Sequence, residues 1–235
     1  MKKNKSGFTI IELSIVLVII GLLVGAVLGG QEIIESSKRL SVISNFADYK
    51  SAYDQFKDKY YGMPGDLVDA ASYWPSKAVG GDGNSSISQA EGLDAWQHLS
   101  LAGYVDGTFS GMASGTSSKV LLDTDIPAAP FNNSGYTIQT RNTKITNNVA
   151  SVMFGRYNSG SDYNSAVISP QGATNIDQKI DNNNPSQGQI ITTSGNGVSV
   201  ANCVTAGASD PLDSYNLSNK NQDCILIYYL EQVVD

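Results

Sequence analysis

From residue 8 to residue 30 the chain is apolar at almost every position, and beyond residue 31 the apolar residues retreat to a repeating stripe. The first stretch holds 23 residues with Glu12 as its only charge. At about 1.5 Å of rise per residue, a helix of that length crosses the hydrocarbon core of a bilayer. Lys2, Lys3 and Lys5 precede it, and the positive-inside bias predicts a cytoplasmic N-terminus with the rest of the chain exported. Further on, Ile33, Leu40, Ile43, Phe46, Tyr49, Tyr53, Phe56 and Tyr60 recur in steps of three, four or seven, which predicts one apolar helix face. Lys59, Gly62 and Pro64 predict its end near Tyr61, with a cation in the last turn, glycine as the cap and proline forbidding continuation. The two stretches form one helix, greasy all round in its first half and amphipathic in its second.

The remaining pattern is shorter-ranged. A turn at residues 64–66 leads into a short helix over 67–71, and residues 88–101 form an amphipathic helix with Leu93, Trp96 and either Leu99 or Ser100 inward. Ser169 and Pro170 read as N-cap and first helical position of another helix, with Ala173, Ile176 and Ile180 on its apolar face and residues 182–185 as its stop. β-prone runs at 120–122, 136–140, 149–154, 166–168, 189–192 and 225–230 predict strands of an antiparallel sheet. The last run is the strongest and is expected at a central position against the long helix. The fold class is therefore α+β. Residues 1–7 read as a leader, 8–30 as the transmembrane helix, and 31–235 as one globular domain containing the second half of the long helix.

Glu12 needs a partner, because a lone carboxylate in a membrane helix costs about 2.5 to 3.5 kcal/mol near the helix centre. An ordinary secretory signal carries no such acid and ends in small residues at a cleavage site, which are absent after this run. The string Gly7-Phe8-Thr9-Ile10-Ile11-Glu12-Leu13, followed by the apolar run, closely resembles the processing signal of type IV prepilins and of type II secretion pseudopilins. The resemblance implies cleavage between Gly7 and Phe8 by an inner-membrane prepilin peptidase and N-methylation of Phe8. It also implies that Glu12 of one subunit neutralises the Phe8 amine of its neighbour within a filament, as a buried ion requires. Gly21, Gly25 and Gly29 lie four residues apart, along one face where a second helix could approach closely. The implied fold is a pilin-like helix packed on an antiparallel sheet. The implied partners are other pilins in a homo- or hetero-polymer, the prepilin peptidase, and the pilus or type II secretion machinery. The filament would start from a single-pass inner-membrane form and reach the periplasm or the cell surface.

Composition bears on the alternatives. The precursor carries a net charge of −7, and losing three of its 15 basic residues with the leader, against 22 acidic ones, leaves −10. No nucleic-acid partner is expected on such a surface. Cys203 and Cys224 are the only cysteines, and both lie in the exported part, where an oxidising compartment favours a bridge over two free thiols. In resembling pilins a disulfide near the C-terminus bounds a surface loop at the matching place, and residues 204–223 are the stretch expected to contact partners.

In residues 80–91, with Ile87 at the hydrophobic position of an EF-hand-like loop, Asp82, Asn84 and Glu91 fall at three ligand positions for calcium. Gly80 stands where the first aspartate belongs and Ser85 replaces the central glycine, so a polar turn accounts for the stretch as well. No other cofactor is implied. Asp177, Asp181 and Asn183 are close enough to raise calcium again, but acids on the solvated face and end of a short helix explain them without metal. His98 is the only histidine and reads as an exposed or hydrogen-bonded structural residue. No converging set of titratable groups points to an enzyme. A membrane-tethered calcium- or glycan-binding module is the alternative from another class.

Overall fold

A computed structural model describes residues 7, 9–112, 119–141, 149–158, 163–205 and 214–231. The chain divides into two units, Met1–Arg39 and Leu40–Asp235. Helix α1, Ile10–Tyr60, belongs to both. Among the described side chains of its N-terminal half, none of the apolar ones is buried within the chain. Ile10, Leu17 and Leu22 are 87%, 62% and 70% exposed, the state of a helix whose solvent is lipid or other helices and not its own domain. It is the only helix among the described residues long and apolar enough to cross a membrane.

In the second unit the rest of α1 supplies the spine of the core. Val42, Phe46, Tyr49, Ala52, Tyr53 and Phe56 are buried. The expected stripe is thus right in its centre and wrong at its start, since Ile33 and Leu40 are 71% and 50% exposed. A seven-residue step drifts by about 20° per repeat around a straight helix, so the stripe read from Ile33 does not stay under the domain. The C-terminal end also differs from expectation. Tyr61, with φ 54°, takes the left-handed position in place of Gly62. Gly62 is needed for a different reason, because a Cβ there would lie 2.8 Å from Leu67 Cδ1.

Helix α2, Ala70–Tyr73, and helix α3, Glu91–Leu101, follow. At the start of α3 Ser88 and Glu91 exchange hydrogen bonds: Glu91 N–H donates to Ser88 Oγ at 3.3 Å and Ser88 N–H to Glu91 Oε2 at 2.9 Å. This is the reciprocal arrangement of a capping box. Trp96 and Leu99 point into the core as expected, and the Trp96 ring meets Tyr49 edge-on at 4.8 Å.

Four antiparallel strands form the sheet: β1 Ser134–Arg141, β2 Val149–Arg156, β3 Ile190–Ser194 and β6 Cys224–Tyr229, in the order β1-β2-β6-β3. The closing run is internal to the sheet, as its apolar density predicted. Register places Tyr136, Phe154, Leu226 and Thr192 in one row across it. Phe46 stacks on Tyr228 with centroids 5.0 Å apart and planes 8° apart, which fixes α1 to the sheet through two large rings. The opposite face carries its own apolar cluster of Val149, Met153, Ile225, Ile227 and Tyr229. Helix α4, Pro170–Ile180, begins where predicted: Ser169 Oγ accepts Gly172 N–H at 3.2 Å, and Pro170 occupies the first turn.

Two runs expected as strands are not strands. Residues 120–122 and 166–168 contribute only isolated bridges, Leu122 to Ile126 and Ile168 to Cys224. Their β-branched side chains are used for packing, with Val120 and Val167 fully buried, and not for a ladder. Conversely, the loop closed by the cysteines contains a short helix α5, Val200–Cys203, and a two-stranded ribbon of β4 Val204–Thr205 and β5 Ser214–Tyr215.

Close backbone approach fixes the turn after α1. A Cβ on Gly81 would lie 2.3 Å from Gly65 O and 2.4 Å from Asp66 Cα. Gly81→Ala is therefore expected to destabilise the domain by about 1 to 3 kcal/mol, read as a lower midpoint in urea unfolding. A wild-type midpoint would show that this turn gives way freely.

Candidate functional site

The N-terminal segment builds its own pocket for a charge. Thr9 N–H and Thr9 Oγ1–H both donate to Glu12 Oε2, each at 2.8 Å, and Glu12 N–H donates back to Thr9 Oγ1 at 3.2 Å. Thr9 and Glu12 thus form a capping box at the first turn of α1, satisfying two of the N–H groups that a helix start leaves orphaned. Among the described residues all the bonds to the carboxylate fall on Oε2, which leaves Oε1 open to a cation brought from elsewhere. Thr9 was not singled out from the sequence, although the spacing T-x-x-E ahead of an apolar run spells this motif. Phe8, the residue expected to be methylated, lies outside the described residues, as do the leader lysines. Apart from chain neighbours and the adjacent backbone of α1 itself, no atom of the described residues comes within 4 Å of a Cβ added at Gly21, Gly25 or Gly29. That face is open to a partner helix.

A second candidate lies in the turn that follows α1. One carboxylate oxygen from each of Asp66, Asp82 and Glu91 falls within 4.8 Å of the others. Asp82 and Glu91 are two of the expected ligands, and Asp66 takes the third place. Asn84 instead turns its amide onto Asp82 Oδ2 at 2.7 Å and donates its N–H to Asp66 Oδ1 at 3.1 Å. No sequence signal links Asp66 to the loop, because the close packing of Gly81 on Gly65 and Asp66 brings them together. The cluster already has internal partners. Asp66 accepts Ser85 N–H at 2.9 Å, and Glu91 accepts Asp82 N–H at 3.3 Å besides its bond from Ser88. Burial pushes the Asp66 carboxyl above its ordinary range against the pull of these N–H donors. Backbone N–H groups and the Asn84 amide thus account for the three acids, while among the described residues their oxygens remain the one set of clustered carboxylates that calcium could use.

His98 is buried and doubly bonded, not exposed. Gly65 N–H donates to Nδ1 at 3.0 Å, and Nε2 lies 2.9 Å from Val79 O. The ring is therefore the neutral tautomer with its proton on Nε2. Burial pulls its pKa below the usual histidine value. Stacked near Phe56 and Trp74 at 6.1 and 5.9 Å, it pins two turns to α3, and its hydrogen-bond partners among the described residues are backbone groups.

Asp177 departs from expectation, because it is fully buried and not on a solvated face. Tyr215 O–H donates to its Oδ2 at 2.6 Å, Asn183 N–H to its Oδ1 at 3.2 Å, and Thr192 Oγ1 lies 2.9 Å from the Tyr215 hydroxyl. This chain ties β5 to α4 and β3. Burial pushes the Asp177 carboxyl up to about 6. A carboxyl that binds its proton more tightly when folded makes stability fall as pH rises from about 4 to 6, and leaves it flat above that. Asp177→Asn is expected to remove that part of the slope, as measured by urea unfolding at a series of pH values. An unchanged slope would assign it to other acids, Asp94 first, whose carboxyl burial raises to about 7.

Cys203 and Cys224 form the expected bridge, with Cα atoms 5.3 Å apart. Both are fully buried, and the bond joins the end of α5 to the start of β6. Of the 204–223 stretch expected to meet partners, residues 206–213 lie outside the described residues. The remainder is held by Asn216 N–H to Cys203 O at 2.9 Å and Asn219 Nδ2 to Asn202 O at 2.7 Å.

Comparison with protein families finds the prokaryotic N-terminal methylation motif at residues 2–28. The chain carries the type IV prepilin and pseudopilin signal, with Thr9 and Glu12 inside it. No curated protein and no solved structure matches the chain.

Proposed function

We propose that this chain is a structural subunit of a type IV pilus, cut between Gly7 and Phe8, methylated on Phe8, and polymerised through α1 with copies of itself or with other pilins. The observation that carries this reading is the methylation motif at residues 2–28, set on the first part of a helix, where Ile10, Leu17 and Leu22 are left exposed by the chain itself. Its work is assembly and not catalysis. In the membrane-anchored form Thr9 holds the Glu12 carboxylate by one oxygen. As a neighbour adds, its Phe8 ammonium meets the other oxygen, and two charges too costly to bury singly enter the filament as a pair. The glycine face at Gly21, Gly25 and Gly29 permits the close helix approach that dispersion contacts require.

Prepilin peptidase and the assembly machinery of the inner membrane are the partners this reading requires, and the N-terminus is cytoplasmic before assembly. Intact mass of the membrane form tests it. Loss of residues 1–7 with one added methyl is expected, and an uncut N-terminus would end the proposal.

The acidic cluster favours a second reading on the same fold, a pseudopilin of a type II secretion system, since pseudopilins in several cases carry calcium. On that reading calcium raises the thermal midpoint and Asp82→Asn abolishes the rise. The disulfide favours the pilus. Gene deletion separates the two readings: lost fibres support the pilin, and a lost exported enzyme with fibres intact supports the pseudopilin.

A further inference from the structure

An open cleft of about 700 Å³ lies in the globular unit, walled by the end of α1, the turn at residues 61–69 and residues 83–85. Tyr61 stands at its lining with 94% of its surface exposed and a φ of 54°. That backbone region is unfavourable for a residue with a Cβ and natural for glycine. The ring buries almost nothing in return, so the fold itself gives no reason for tyrosine here. Tyr61 directly follows the last residue of α1, where a left-handed residue commonly ends a helix, and the ring carried by that turn is open to a contact from outside the chain.

The charges of the cleft are unequally satisfied. Lys57 Nζ is taken by Glu231 at 2.5 Å, and the same carboxylate accepts Tyr53 O–H at 3.0 Å. Asp66 is occupied by backbone N–H donors. The Asp69 carboxylate and the Tyr61 hydroxyl have no partner among the described residues. One ammonium therefore faces three carboxylates, from Asp66, Asp69 and Glu231.

We propose that this cleft docks an arginine side chain presented by another protein. A guanidinium stacks on an aromatic face, donates a fork of two N–H bonds to a carboxylate, and sheds its water more readily than an ammonium. Tyr61 supplies the face, Asp69 the fork partner, and the surplus of negative charge the attraction. A neutral sugar would use the ring but draw nothing from that surplus, and an acidic ligand would be repelled. This site is independent of filament assembly through Glu12.

The test is a titration of the isotope-labelled full chain in detergent micelles with N-acetyl-arginine amide, followed by amide shifts. Saturable shifts confined to residues 61–69 and 83–85 are expected, and Tyr61→Gly and Asp69→Asn should each weaken binding about fivefold. Glycine suits the left-handed backbone and asparagine is isosteric at an exposed position, so both variants should melt with the wild type. Glu12→Ala should bind as the wild type does. N-acetyl-citrulline amide, of the same shape without the charge, should give no saturable shift. The proposal is overturned if citrulline or lysine amide binds as well as arginine, if both variants keep wild-type affinity, or if arginine never saturates.

Discussion

Glu12→Ala is expected to leave export and cleavage at Gly7 intact and to reduce fibre yield to background. On the proposed reading the peptidase acts at the bond ahead of Phe8, and alanine makes the apolar run easier to insert by removing a carboxylate that costs about 2.5 to 3.5 kcal/mol at a helix centre and less near an end. Assembly suffers in the opposite way, because each added subunit would bury a Phe8 ammonium with no counter-ion. Leaving one member of a buried pair unmatched costs about 3 to 5 kcal/mol, a factor of roughly 150 to 5,000 at every addition. The measurement is sheared-fibre yield beside the intact mass of the membrane form. Normal fibres from correctly processed Glu12→Ala chains would disprove the pairing role.

The Thr9 bonds refine this expectation. Thr9→Ser keeps the hydroxyl that donates to Glu12 Oε2 and should assemble. Thr9→Val keeps the shape and loses both side-chain bonds, at about 1 kcal/mol for a missing cap. An intermediate fibre yield from Thr9→Val, restored in Thr9→Ser, would separate orientation of the acid from its charge.

Removing the disulfide is the second large effect. The bridged residues are 21 apart in sequence, and closing a loop of that size stabilises by about 3 kcal/mol in the chain-entropy view. Cys203 and Cys224 are both fully buried, so Cys203→Ser with Cys224→Ser also places two hydroxyls in apolar surroundings. A loss of about 3 to 5 kcal/mol is expected, seen as a lower midpoint in urea unfolding of the exported chain. The loss should be greatest around the β4–β5 ribbon, which pairs only Val204 with Tyr215 and Thr205 with Ser214. Unchanged stability would mean that the Asp177–Tyr215–Thr192 hydrogen bonds alone secure that loop.

Where the pattern is long and regular, the chain is readable without its fold. A greasy run of helical length, a period near 3.6 through Phe46, Tyr49, Tyr53 and Phe56, and a proline after Ser169 each depend on neighbours within a turn or two. Residues 136–140, 149–154, 189–192 and 225–230 could be read as strands because enough β-prone residues stand in a row to support a ladder. Three-residue runs could not be decided that way. Residues 120–122 and 166–168 have the same residue types, and what they lack is a partner strand at the right distance. The position of Tyr61 in the left-handed region also escaped local reasoning, since Gly62 next to it has the better intrinsic preference and is held instead by its contact with Leu67.

The sequence by itself determined the membrane-length helix, the processing signal around Gly7, Phe8 and Glu12, the α+β class and the cysteine pair, because each is written in residues adjacent along the chain or in a residue type that occurs twice. Only the tertiary structure decided that Asp66 joins Asp82 and Glu91, that Asp177 is buried under Tyr215, and that His98 is a neutral pin between two turns. Those contacts join residues far apart in sequence, and they depend on backbone approaches such as Gly81 on Gly65 that no periodicity records.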